Sequence, residues 1–221
     1  MFIATFWKEL NLSARIGLLV VLFFAFCALF APWLAPYGES EIVADVWEPI
    51  GGIYIFGTDQ IGRDILSRLI YGARNTMSLA LISTIVSFFA GAVFGFIAAT
   101  VGGIVDKVLS RLVDVVISIP TLIASLIILS AVGTATPSLV LVIGIIYAMP
   151  VFRIARAVAM DIEVMDYVDA ARVRGEGMLW IMRKEILPNA LTPLAAEFGL
   201  RFCFVFLLIA SLSFLGMGLQ P

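Results

Sequence analysis

The sequence predicts an all-α integral membrane protein, and three observations carry that prediction. Of its 221 residues, 62% are hydrophobic and only 14% charged, with a mean hydropathy of +1.10, a balance that a water-soluble globule would have to expose as large apolar patches. Five apolar stretches reach the length a bilayer demands. Lys and Arg gather in some of the intervening segments and are sparse in the others, which is how membrane orientation is written in sequence.

A hydrocarbon core roughly 30 Å thick takes about 20 helical residues. The first stretch runs from Ile16 to Leu34, the second from Ser78 to Val101, the third from Leu112 to Val132, the fourth from Ser138 to Val158 and the fifth from Leu191 to Leu215. The first is expected to stay in the mature chain, because its apolar run exceeds a signal-peptide core and ends in Ala31-Pro32-Trp33-Leu34-Ala35-Pro36, an interfacial Trp with two prolines in place of a cleavage site. With the N-terminus inside, cytoplasmic segments hold Lys8, Arg15, Lys107, Arg111, Arg153, Arg156, Arg172, Arg174, Arg183 and Lys184. The outer loop holds Arg63, Arg68 and Arg74 among six acids. The bias favours a cytoplasmic N-terminus. The expected organisation is therefore residues 1–36 as N-terminal segment and first span, 37–77 as extracytoplasmic loop, and 78–221 as core with a cytoplasmic loop at 159–189. An outside C-terminus just after Gln220-Pro221 leads us to expect a sixth span beyond this chain.

Several function classes fall away. There is no His, and the two cysteines, Cys27 and Cys203, sit inside apolar runs, so neither a disulfide framework nor a His-bearing metal or catalytic site is expected. The charge pattern gives no support for nucleic acid binding. An intramembrane enzyme lacks paired aspartates or an activated nucleophile.

The most informative segment lies between the last two spans. From Asp161 to Arg174 the apolar residues Ile162, Met165, Val168 and Ala171 recur at spacing three among acids and arginines, which predicts an amphipathic helix outside the bilayer. The small Ala170 and Ala171 next to Asp169 let another surface approach closely. Gly175 and Gly177 permit a reversal into a second helix bearing Met178, Ile181, Met182 and Ile186, which Pro188 is expected to stop before the fifth span. A hairpin of this kind either receives a soluble partner or lies on anionic lipid.

Other features carry narrower expectations. Glu197 and Arg201, four apart and near mid-membrane, form a helical ion pair that either lines a pathway or holds this span to a neighbour. Pro120, Pro150 and Pro193 bend or interrupt spans, and Gly91 and Gly95 make a GxxxG pair for close helix contact. Asp114 is expected to pair with Arg111. In the loop 37–75, Glu39, Glu41, Asp45 and Glu48 form an acidic first half suited to an external partner. Asp64 to Tyr71 reads as an interfacial helix whose arginines reach lipid headgroups.

The hairpin is similar to the EAA loop of permease subunits of binding-protein-dependent ABC importers, with Asp169 where Glu is usual. The block from Phe56 to Arg68, Gly57-Thr58-Asp59-Gln60-Ile61-Gly62-Arg63-Asp64 at its centre, with Tyr71-Gly72-Ala73-Arg74, Ile186-Leu187-Pro188-Asn189-Ala190 and Ser211-Leu212-Ser213-Phe214-Leu215-Gly216, narrows the resemblance to the dipeptide, oligopeptide and nickel permease family, from about Trp7 to the last residue. The resemblance implies the type I ABC importer permease fold, a second homologous permease subunit, two cytoplasmic ATP-binding subunits and an extracytoplasmic solute-binding protein, in a bacterial or archaeal inner membrane. It further implies that ATP is consumed by the partner ATPases while this chain binds no cofactor, and that Asp169, Ala170, Ala171, Gly175, Ile186, Leu187 and Pro188 couple the two. No phosphate-binding Gly-rich loop ending in Gly-Lys-Ser or Gly-Lys-Thr occurs here. The competing expectation is a carrier driven by an ion gradient, with Glu197 or Asp114 as its ion site. The family often has an acid where this chain has Ile209, so a pathway role at that position is not expected.

Overall fold

The computed structural model describes residues 11–218, so Trp7, Lys8 and the Gln220-Pro221 stop lie outside them. Among the described residues the longest non-helical stretch is the loop 35–64, whose strand-like pairings are isolated bridges. The chain divides into two compact units, one of residues up to Ser78 and one from Leu79 onward.

In the first unit, α1 (Leu12–Leu29) opens on Asn11, whose Oδ1 accepts the Ala14 N–H at 2.8 Å. The first span was expected to be one helix to Leu34. It breaks at Phe30 and restarts as α2 (Ala31–Leu34), because Pro32 has no N–H to continue the ladder. Trp33 on α2 is 83% exposed, as suits a side chain at a membrane interface.

The loop beyond α2 folds around a buried carboxylate. Asp59 accepts the backbone N–H groups of Ile61 (2.9 Å) and Arg63 (3.0 Å) on one oxygen, and the guanidinium groups of Arg63 (2.9 Å) and Arg68 (2.7 Å) on the other. Burial alone would raise its pKa, yet the backbone N–H groups of Arg63 and Ile61 and the Arg63 guanidinium hold it down to about 2. Thr58 Oγ1 donates to the Asp45 carbonyl at 2.7 Å and accepts the Glu48 N–H at 2.8 Å, and the Tyr54 hydroxyl donates to the Val43 carbonyl at 2.8 Å. At Gly62, φ is +80° and an added Cβ would lie 2.1 Å from the Ala44 carbonyl oxygen, so both backbone conformation and space demand glycine. Two of the loop's acids are also engaged within it: Glu39 accepts from Asn75 at 2.7 Å and Glu41 from the Gly38 N–H at 2.9 Å.

Two expectations for this region need correction. Arg63 and Arg68 do not reach toward headgroups, because Asp59 offers a charge-assisted partner within the loop. Nor is Asp64 to Tyr71 a separate interfacial helix. Asp64 Oδ2 accepts the Ser67 N–H (2.8 Å) and Oγ–H (2.7 Å), starting a helix, α3 (Ile65–Val101), that runs 37 residues with no break before the apolar stretch.

The second unit holds the rest of α3, then α4 (Gly103–Ile117), α5 (Thr121–Val132), α6 (Thr136–Glu163), α7 (Asp166–Val173), α8 (Met178–Ile181), a π turn (Met182–Ile186) and α9 (Leu187–Phe214). The third span was expected from Leu112 to Val132 with a bend or interruption at Pro120, and the structure has one there. α4 and α5 meet at 88°, because Pro120 cannot donate to the helix and biases Ile119 away from helical backbone, while Ser118 Oγ donates back to the Val115 carbonyl at 2.7 Å. Counting that bent pair as one, five segments among the described residues are long and apolar enough to cross a membrane.

Two larger apolar cores, besides a small one of Ala98, Val113 and Phe152, bind these helices. One joins Leu79 and Ala80 of α3 to Leu129, Ile143, Val205, Ile209 and Leu212 of α5, α6 and α9. The other joins Phe96 and Ala99 of α3 to the end of α6, the hairpin and the start of α9. Between the two, Gly91 and Gly95 let α3 lie directly on α6. A Cβ at Gly91 would fall 2.6 Å from the Ala148 carbonyl and one at Gly95 2.8 Å from that of Phe152, so the close contact expected of this pair is present.

Candidate coupling hairpin and the span behind it

The amphipathic segment expected as one helix from Asp161 to Arg174 is two. α6 carries on to Glu163, the chain turns at Val164-Met165, and α7 begins with Met165 extended at φ −82°, ψ 142°. Asp166 and Asp169 lie in the first turn of α7 and Arg172 in its last, each charge placed favourably for the helix dipole. Glu163 and Arg172 form an ion pair across the turn, and Arg172 Nη1 lies 3.5 Å from Asp169.

α7 ends in a Schellman motif. The Gly175 N–H bonds the Arg172 carbonyl at 2.9 Å, the Glu176 N–H bonds that of Ala171 at 3.2 Å, and Gly175 takes φ +83°. No atom crowds the place of its missing side chain, so glycine is needed for conformation and not for room. Gly177 has φ −74°, which any residue adopts, so its expected role in the reversal is corrected. The returning limb is braced by Arg174, 3.8 Å from Glu185 and 5.8 Å over the Trp180 ring.

The seven proposed coupling residues separate into two faces. Ala171 and Ile186 have no exposed surface and join Val168, Ile162, Ile181 and Ala190 in the core shared by α6, the hairpin and α9. Asp169, Ala170, Gly175, Leu187 and Pro188 are exposed. Tyr167, Ala170 and Val173 recur at spacing three on the open face of α7, and Val173 is 90% exposed. Met165, expected on the buried stripe, is 47% exposed because it precedes the helix and escapes its periodicity.

Pro188 does not stop the second limb. Its missing N–H is absorbed by a π turn, in which the Leu187 N–H bonds the Met182 carbonyl five residues back, while Asn189 Nδ2 caps the Glu185 carbonyl at 2.7 Å. The backbone is therefore helical from Met178 to Phe214. The hairpin's second limb and this span thus form one continuous helix.

Within α9, Glu197 and Arg201 form the i,i+4 ion pair expected of them. Glu197 is 8% exposed and Arg201 stacks 5.6 Å over the Phe204 ring. Asp114 pairs not with Arg111 but with Arg153 of α6, because α4 turns its acids toward α6. One rung along, Asp106 pairs with both guanidinium nitrogens of Arg156 and accepts from Ser110 at 3.2 Å. This α4–α6 ladder was missed. Its signal was legible, since Asp106, Ser110 and Asp114 repeat at spacing four opposite Arg153 and Arg156 at spacing three. Among the described residues no group of acids and cysteines could hold a metal ion.

Comparison with known proteins agrees with this architecture. Residues 91–221 match the family described as the binding-protein-dependent transport system inner membrane component, and residues 5–46 match the N-terminal TM domain of oligopeptide transport permease C. The di/tripeptide transport system permease protein of Pseudomonas aeruginosa is 37% identical over 98% of this chain and 74% of its own length. The dipeptide transport system permease proteins of Haemophilus influenzae and Escherichia coli are 34% and 36% identical, again over 98% of this chain, and over 76% and 75% of their own lengths. These matches set aside the ion-gradient carrier. The chain belongs to the family of inner membrane components of binding-protein-dependent transport systems, as a permease subunit of an ABC importer.

Proposed function

We propose that this permease carries peptides, forming half of a translocation pathway with a second homologous permease, and that α7 delivers the stroke of two cytoplasmic ATP-binding subunits to it. The peptide cargo rests on the relatives, whose names specify dipeptides or di- and tripeptides. The observation that carries the coupling role is the division of α7. Val168 and Ala171 on one face are wholly buried in a core shared with α6 and α9, while Tyr167, Ala170 and Val173 on the other are exposed.

A partner that grips the open face thus holds a lever whose other side is fixed to two spans. ATP binding shifts the pathway only if it favours one arrangement of the ATPase pair, and the hairpin transmits that preference. Nucleotide is consumed by the partners, and this chain binds no cofactor. The N-terminus lies in the cytoplasm, by the distribution of basic residues, and the folded loop around Asp59 faces the extracytoplasmic solute-binding protein. Glu197 and Arg201 act as a self-neutralised pair within α9 and not as a lining of the route, which accords with their burial inside the subunit.

The test is uptake of a radiolabelled dipeptide by proteoliposomes containing the whole complex. Uptake should require ATP inside and the binding protein outside. A Val173→Glu permease should still assemble with its sister permease yet lose most of its uptake. Uptake undiminished by that charge, or surviving loss of the ATPase catalytic carboxylate, would refute the reading.

A further inference from the structure

The outward face of α4 has the makings of a ligand site that transport itself does not use. Its acids are spent internally: Asp106 and Asp114 are held by Arg156 and Arg153 of α6. Its two bases are not. Lys107 and Arg111, one turn apart, are exposed, and among the described residues neither has a carboxylate partner. They line one groove with Val108, Leu112 and Val115, of which Leu112 is 59% and Val115 65% exposed.

Two of its residues, Val108 and Leu112, also border apolar space between α3 and α4. Val108 lines a neighbouring hollow with Leu109, Phe94, Ile97 and Ile104, and Leu112 borders, with Leu109, a further cavity of about 250 Å³ that reaches Gly91 and Phe152. Two unpaired cations at the mouth of a long apolar groove are complementary to one molecule, an acidic headgroup on an acyl chain. A protein partner suits the face less well, since interfaces are depleted in Lys and penalise an unpaired buried charge. The groove opens at the hairpin end of α6, because Ala155 and Ala159, flanking Arg156, pack in the same core as Val168 and Ala171.

We propose that this face binds one anionic phospholipid of the hairpin-side leaflet, its phosphate on Lys107 and Arg111 and an acyl chain along Phe94, Leu109 and Leu112. The bound lipid would wedge the charged α4 against α3, ahead of its 88° bend into α5, so the leaflet's composition would bear on how firmly α4 is held.

The test places a reporter in the groove of the assembled complex, in bilayers mixing phosphatidylcholine with phosphatidylglycerol, one or the other brominated on its chains. With Leu112→Trp, the fluorescence added over the parent complex should be quenched roughly fivefold more effectively by brominated phosphatidylglycerol than by brominated phosphatidylcholine. Adding Lys107→Gln and Arg111→Gln should bring the ratio to about one. Val115→Trp repeats the measurement should Leu112→Trp fail to assemble. Equal quenching by both lipids with the bases present, or a preference that survives their removal, overturns the assignment. Quenching by neither lipid also overturns it, and makes the face a contact with the second permease.

Discussion

Gly175 concentrates the hairpin's dependence on single residues. Its φ of +83° is costly for any side chain with a Cβ, while the space around it is open. Gly175→Asn should therefore keep most uptake and Gly175→Val should lose most of it, the cap being weakened by about 1–2 kcal/mol in the latter. Equal effects of the two in the dipeptide assay would mean that space, not conformation, matters there. Asp59 is the corresponding residue of the outer loop. Its folded pKa, about 2, lies below the ordinary carboxylate value, so the stability it lends is complete above about pH 4 and is lost as pH falls from there toward 2. Asp59→Asn, which leaves Arg63 buried without its counter-charge, should cost the loop ~3 kcal/mol, read as faster proteolytic cleavage near Thr58 in the purified complex at neutral pH. Unchanged cleavage would show that the loop does not depend on this carboxylate. At this scale the sequence was partly legible. The spacing-three stripe already put Ala171 with Val168 on the core side of α7, which leaves Ala170 as the one of the two alanines on the open face.

Among the elements, those set by hydropathy were readable, as was the interruption at Pro120, but which of the other prolines break a helix was not. The apolar stretches locate α1, α3, α6 and α9 because lipid-facing length is a property of composition summed over a window. Where each helix breaks depends on what else the local backbone can bond. Pro120 turns α4 from α5 by 88°, Pro32 splits the first span, yet Pro188 is carried through a π turn and Pro150 and Pro193 lie inside unbroken helices. The α4–α6 ladder gives the bent span its only charged tie to α6 among the described residues. Asp106→Asn should weaken that tie by roughly 1–2 kcal/mol, the pair being partly exposed, and lower the thermal midpoint of the purified permease. The swap Asp106→Arg with Arg156→Asp should recover part of the loss, and a swap no better than the single variant would show that the pair is not energetically coupled.

For the whole molecule, the consequence of these details is a continuous mechanical path. The hairpin is capped by Gly175, bonded through Ala171 and Ile186 to the ends of α6 and α9, and continuous with α9 through the π turn. α6 in turn lies against α3 at Gly91 and Gly95. α7 is thus packed in one core with α3, α6 and α9, the arrangement that the proposed coupling requires. The decisive measurement replaces Cys27 and Cys203 by Ser, introduces Ala170→Cys, and cross-links the assembled complex with a short bifunctional reagent, using the buried Val168→Cys as control. The account predicts an adduct between the Ala170→Cys permease and an ATP-binding subunit, altered in yield by ATP and absent from the control. Modification of Ala170→Cys by extracytoplasmic reagents alone, with no adduct to a nucleotide-binding partner, would contradict it.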